Sequence, residues 1–220
     1  MENGSLDSIL KAEKKNPGKN AWDNTKQLIT LYGVASAMAY LHSRCILHMD
    51  LKPKNVLING NFYPKVTDFA QIKQAYHNLL LLNINDRDDS SIRSKLKKIA
   101  VYISPEVMQT NVFTKENDVY AFGMLVYEIL TLNHPFEEIK NPLELRKRVL
   151  EGYRPPIPSN IHASYKKIIE RCWLHNPEQR PSFDKIVEEL EVDRGLIIEG
   201  VNNEEYREYI NMIKASLPKP

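Results

Sequence analysis

Cysteine is scarce. The chain carries only Cys45 and Cys172, far apart and outside any CxxC, so no disulfide framework is expected. Glycine is thin as well, at positions 4, 18, 33, 60, 123, 152, 195 and 200. No two of these fit G-x-G. Gly195 and Gly200 have the outer Walker spacing, but Val201 stands where the lysine must be, so no glycine-rich phosphate cradle is written here. No apolar run approaches a membrane span. The opening "MENGSLDSIL" is polar and lacks the apolar core of a signal peptide. Neither sign of charge dominates: 30 basic and 28 acidic residues are interspersed, which argues against nucleic acid or a membrane surface as partner. A reducing, cytoplasmic setting is the expectation, and the sequon Asn3-Gly4-Ser5 is read as chance. There is no internal repeat and no low-complexity tract.

What is present is mostly helical pattern. Residues 6–15 read as a short amphipathic helix. Leu28, Leu31, Ala35, Met38 and Leu41 recur at helical spacing and predict a helix over about 24–43 with one buried face. Residues 56–68 read as two short strands joined near Asn59-Gly60, a strong signal for a tight hairpin. "DVYAFGMLVYEIL" (118–130) is apolar almost all round and too long for a strand, so it predicts a helix in the middle of the domain. Asn141-Pro142-Leu143-Glu144 opens a further helix with a cap, a first-turn proline and a glutamate placed for a capping box. Gly152 ends it. "RPPIPS" (154–159) is a rigid extended connector. Helices follow near 163–174 and 182–192, and Tyr206, Tyr209, Ile210 and Ile213 mark a last amphipathic one.

One stretch carries chemistry. "ILHMDLKPKNVLI" (46–58) sets His48, Asp50, Lys52 and Asn55 in the order a phosphoryl-transfer loop needs, running into an apolar strand. Together with "DFA" at 68–70 and "SPE" at 104–106, it resembles the catalytic loop, D-F-G and A-P-E signatures of the protein kinases. "NDVYAFGMLVYEIL" and "RCWLHNPEQRPSF" resemble the helices of the tyrosine-kinase-like group of Ser/Thr kinases. The resemblance covers residues 1 to about 192. It implies an α+β, predominantly α-helical fold: the large, carboxy-terminal lobe of a kinase with a small β-hairpin. Residues 1–192 would form that lobe and 193–220 a tail with a short amphipathic helix.

By the same resemblance, Asp50 would accept or orient the proton of an attacking hydroxyl, and Lys52 would neutralise the transferring phosphoryl group. Asn55 and Asp68 would hold Mg²⁺, and Leu57, flanked by Val56 and Ile58, would be the floor beneath the adenine of ATP. His48, Phe69, Glu106, Asp118 and Arg180 read as structural: Glu106 and Arg180 as a buried pair, Asp118 as the brace of the loop backbone. Lys52 in "DLKPKN" points to Ser/Thr rather than Tyr substrates, by family habit. Taken alone, each such charge is a solvated loop residue; the constellation overturns that reading. The rival set His42, Cys45 and His48 has the spacing of metal ligands, but no fourth ligand stands near it.

The pattern also breaks. Met49 replaces the loop arginine that would clamp a phosphorylated segment, and Ala70 replaces the glycine after Phe69. "KIAVYISPE" lacks the Gly-Thr usual before the substrate-docking turn. The segment from Asp68 to Glu106 is long, and its "LLLL" (79–82) reads as a locally buried patch rather than a docking site. The residues before the loop carry no Gly-rich loop and no strand lysine, so a lobe without its small partner lobe is the expectation for these 220 residues. Two functions follow from this pattern. One is a partial protein Ser/Thr kinase, inactive alone and completed by a small lobe in cis or in trans. The other is a kinase-derived scaffold that binds protein partners.

Overall fold

The computed structural model describes residues 1–19, 21–69, 97 and 99–216. In chain order the elements are α1 (Leu6–Lys15), α2 (Asn24–Ser43), β1 (Val56–Ile58), β2 (Pro64–Val66), α3 (Pro105–Thr110) and α4 (Lys115–Thr131). They continue with α5 (Pro142–Leu150), α6 (Ala163–Cys172), α7 (Phe183–Val192) and α8 (Asn203–Ser216). Short 3-10 turns lie at Pro53–Asn55, Pro177–Gln179 and Arg194–Leu196. The fold is predominantly helical, and β1 and β2 form the single sheet among the described residues, as the sequence predicts.

The helices start where capping chemistry allows. Asp23 accepts from the Lys26 amide (2.8 Å) and opens α2, Ser182 caps α7, and Asn141 accepts from Leu143 and Glu144 to open α5. Glu144 does not turn back to close a capping box. It pairs instead with Arg148 one turn on, at 2.8 Å.

Two helices make the centre. Every residue of α4 from Asn117 to Ile129 is buried, with Phe122 and Leu125 fully so. Gly123 lets α6 come close: a β-carbon there would meet Cys172 Cβ at 2.9 Å. α2 departs from the expectation of one buried face, since every residue from Leu28 to Ser36 is buried. α7 and α4 cover part of its surface, α8 another part and β2 a third, so α2 runs through the lobe rather than along its surface.

The hairpin is looser than a two-residue turn. β1 pairs antiparallel with β2 in the register Val56↔Val66, Leu57↔Lys65 and Ile58↔Pro64, leaving residues 59–63 as the connection. Asn59 organises that loop, its Oδ1 accepting from the amides of Asn61 (3.0 Å) and Tyr63 (2.9 Å), while Phe62 takes the left-handed turn at φ 61°. The Gly60 amide donates to Glu2 Oε2 at 2.9 Å. The other edge of β1 is covered by residues 3–5, with Ile58 N donating to Gly4 O at 2.9 Å. Side chains alternate along β1: Val56 and Ile58 point into the core and Leu57 to the other, partly open face.

Candidate active site

The loop from His48 to Asn55 hangs from one carboxylate. Asp118, fully buried in the first turn of α4, accepts from the amides of His48 (Oδ2, 2.9 Å) and Met49 (Oδ1, 2.8 Å) and bonds His42 Nε2 at 2.9 Å. The arrangement holds Met49 at φ 67°, a left-handed conformation costing a non-glycine residue about 1–2 kcal/mol. The Met49 side chain is buried in the core. His48 is also fully buried, and its Nδ1 accepts from the Asp50 amide at 3.2 Å. Burial lowers the His48 pKa; the nearby Asp118 and Asp50 charges push the other way and lose.

That frame presents Asp50. Lys52 Nζ reaches both of its carboxylate oxygens, at 2.7 and 2.6 Å. Asn55 Nδ2 donates to Asp50 Oδ2 and to its backbone carbonyl, both at 2.9 Å. The Asn55 side-chain oxygen makes no hydrogen bond among the described residues. Thr67 ties the end of β2 to the same point, its amide donating to Asn55 O at 2.9 Å. Asp68 follows at φ 59°, exposed, with Oδ2 accepting from Thr67 Oγ1 at 3.2 Å. Asn55 and Asp68 therefore stand at one end of the hairpin and offer oxygen donors, the chemistry a hard divalent cation takes. The residue types fit Mg²⁺. The rival set is spent elsewhere: His42 Nε2 on Asp118 and His48 Nδ1 on the Asp50 amide.

Phe69 follows the left-handed turn at Asp68, beyond the last ladder pair, and is 48% exposed. Ala70 and the "LLLL" stretch at 79–82 lie outside the described residues.

Away from the loop, Arg180 meets Glu106 with both terminal nitrogens, 2.6 Å from Nη1 to Oε1 and 2.9 Å from Nη2 to Oε2. It also donates to the carbonyls of Leu174 and Glu116. Burial alone would raise the Glu106 carboxyl, but the Arg180 hydrogen bonds and charge outweigh it and hold the group below the usual carboxylate range. Several partners were not legible in the sequence. Asn117 Oδ1 accepts from both the amide (3.1 Å) and the hydroxyl (3.0 Å) of Ser104. Arg154 and Arg180 both lie over the Tyr120 ring, at 5.2 and 5.3 Å. Tyr102 donates its hydroxyl to buried Glu128, whose carboxyl is pushed up to about 8 by burial. These pairs join residues far apart in the chain, and no local pattern marks them. Two clefts, of about 190 and 350 Å³, lie on other faces, one beside His42 and Lys115 and one between α2, α7 and α8.

A family model described as protein tyrosine and serine/threonine kinase matches residues 1–190. The chain belongs to the protein kinase family. Among its relatives is a probable LIM domain-containing serine/threonine-protein kinase of Dictyostelium discoideum, 35% identical over 74% of this chain and 23% of that protein. The dual specificity protein kinase shkA of the same organism is 38% identical over 71% of this chain and 29% of its own length. Human ephrin type-A receptor 1 is 32% identical over 87% of this chain and 18% of its own length. The likeness is to the tyrosine-kinase-like lineage in particular. The chain spans less than a third of each of these kinases. No helix among the described residues is long and apolar enough to cross a membrane.

Proposed function

We propose that this chain is the large lobe of an ATP-dependent protein Ser/Thr kinase, with residues 1–192 as the lobe and 193–220 as a tail docked through α8. The observation that carries the reading is the Asp50 carboxylate, bracketed by Lys52 and Asn55 on a loop suspended from Asp118. Asp50 orients the acceptor hydroxyl of a protein substrate and takes its proton. Lys52, already a point charge beside Asp50, neutralises negative charge as it builds. Asn55 and Asp68 hold Mg²⁺, and Leu57 gives an apolar face to adenine. ATP with Mg²⁺, when bound, supplies the phosphoryl group and the charge neutralisation its transfer requires. The two free cysteines suit a reducing, cytoplasmic setting.

The 220 residues contain no G-x-G. With one apolar face and no amide cradle the nucleotide stays largely solvated, so Mg-ATP binds the bare chain no better than about millimolar, roughly −4 kcal/mol. The bare chain is therefore inactive, and a small lobe supplied in cis or in trans completes it. The test is transfer of labelled phosphate to a generic Ser/Thr substrate, with and without an added small lobe. Turnover should depend on that lobe and fall about 10²–10⁴-fold in Asp50→Asn. Robust labelling by the bare chain would overturn the reading.

A second reading is a kinase-derived scaffold that binds protein partners. Exposed Phe69 and the burial of Met49 in place of a phosphate-clamping arginine favour it. Asp50-independent behaviour of the completed assembly would select it.

A further inference from the structure

α2 carries a glycine in its middle, at a cost of about 1 kcal/mol relative to alanine. The reason for Gly33 lies outside α2. A β-carbon there would collide with the Tyr209 hydroxyl of α8 and come within 2.5 Å of the Pro64 ring at the start of β2. Gly33 is thus a notch in which the last helix and the hairpin meet. The contact continues on the loop side, where the rings of Tyr209 and Tyr63 lie 4.5 Å apart.

α8 is firmly seated. Tyr206, Tyr209 and Ile210 are buried. The Tyr32 ring of α2 meets those of Tyr206 and Tyr209 edge-on at 6.0 and 6.1 Å. Polar ties pin both ends: Lys26 to Glu205 at 2.5 Å, and Lys214 to Glu191 at 2.6 Å. From the notch the chain of contacts runs up the hairpin. Pro64 pairs with Ile58, Val66 pairs with Val56, and the Thr67 amide bonds Asn55 O immediately before Asp68.

We propose that α8 is a brace for the site, with Tyr209 as a positioning residue: seated in the Gly33 notch and against Tyr63, it fixes β2 and so holds Asp68 beside Asn55. Only the metal-ligand roles of Asp68 and Asn55 rest on the proposed kinase reading; the brace rests on packing. Releasing α8 then loosens the hairpin while leaving the helical core intact, so anything that displaces the helix acts on the site from behind.

The test is amide hydrogen exchange on the full chain, read separately in the hairpin and in α4. Tyr209→Leu keeps the site apolar and removes the ring and hydroxyl. It should speed exchange of the Thr67 amide, which bonds Asn55 O across the ladder, about tenfold and leave α4 unchanged. Tyr63→Ala, made from the loop side, should do the same and keeps the test readable if Tyr209→Leu unfolds the chain. The double variant should go little further than the stronger single one. Unchanged exchange in the hairpin, or equal acceleration in α4, overturns the brace. A Mn²⁺ titration followed at the Asp68 amide forms the second arm. Several-fold weaker Mn²⁺ broadening in the loosened variants supports positioning, and unchanged broadening overturns it. If the unaltered chain shows no Mn²⁺ broadening, the metal-ligand reading fails, while tenfold faster hairpin exchange still supports the brace.

Discussion

Arg180 holds both oxygens of Glu106 across 74 residues of sequence, in a side-chain site that is closed to water on the arginine side and 19% open on the glutamate side. The pair fastens α3 to the turn before α7. Glu106→Ala leaves the guanidinium buried with only backbone carbonyls as hydrogen-bond partners. Breaking such a pair costs about 3–5 kcal/mol, and the partial opening at Glu106 places the loss near the lower end. Glu106→Ala combined with Arg180→Leu should recover part of it. Urea melts of the four proteins decide, since strictly additive losses would mean the two side chains are not coupled. The carboxyl is held below its ordinary 4.5, so the pair's contribution is present above that pH and is lost as pH falls through the folded value.

Glu128 gives the opposite sign. Burial raises its carboxyl from 4.5 to about 8, and the Tyr102 hydroxyl only partly offsets that. The folded chain therefore binds this proton more tightly than the unfolded chain. The stability it confers is full below about pH 4.5 and drains away as pH rises to about 8. Glu128→Gln cannot ionise and keeps an oxygen for Tyr102. It should flatten the slope of melting temperature against pH between 5 and 8, roughly, and should be the more stable protein at the alkaline end. Parallel slopes for the two proteins would place the buried proton elsewhere.

Leu125 sits fully buried in the middle of α4. Leu125→Asp puts a carboxylate among apolar side chains with no partner, a cost of several kcal/mol against a total stability of about 5–15 kcal/mol. The variant should lose its cooperative thermal transition. A sharp melt that survives would show that α4 is not the centre of the core.

How much of this was legible beforehand follows from the range of each interaction. The helices were legible because period and caps are local: Asn24–Ser43 and Leu6–Lys15 fall where the pattern of apolar residues sets them. What surrounds a helix is not local, so the apolar spacing of α2 implies one buried face when four neighbouring elements in fact enclose it. The hairpin stands where Asn59-Gly60 marks it, but the length of its loop is hidden for a related reason. Asn59-Gly60 is a strong turn signal, but the Asn59 side chain bonds two later amides and Glu2 holds the Gly60 amide. Positions for Asp50, Lys52, Asn55 and Asp68 came from a motif whose order survives in the sequence. The Lys52–Asp50 contact, the Gly33 notch and the Tyr102–Glu128 pair depend on meetings in space that no spacing announces.

The loop itself offers the last prediction. Asp118 accepts from two successive loop amides and from His42, and it is fully buried. Asp118→Asn keeps one oxygen but turns an NH₂ toward groups that donate. At least one of the His48 and Met49 amides is then left without an acceptor, at about 1–3 kcal/mol for each unsatisfied buried group. In the bare chain this should appear as lost exchange protection at His48 and Met49, with α4 still protected. Met49 is held at φ 67° against its own preference, so a slackened anchor lets the backbone relax toward negative φ and swings Asp50 away from Asn55. In an assembly completed by a small lobe, a displacement of about 1 Å at Asp50 should lower kcat on the order of 10²-fold, with KM for ATP little changed. Full kcat in Asp118→Asn would mean that Asp50 is held by Lys52 and Asn55 alone. Unaltered protection of the two loop amides would mean that the anchor is not Asp118.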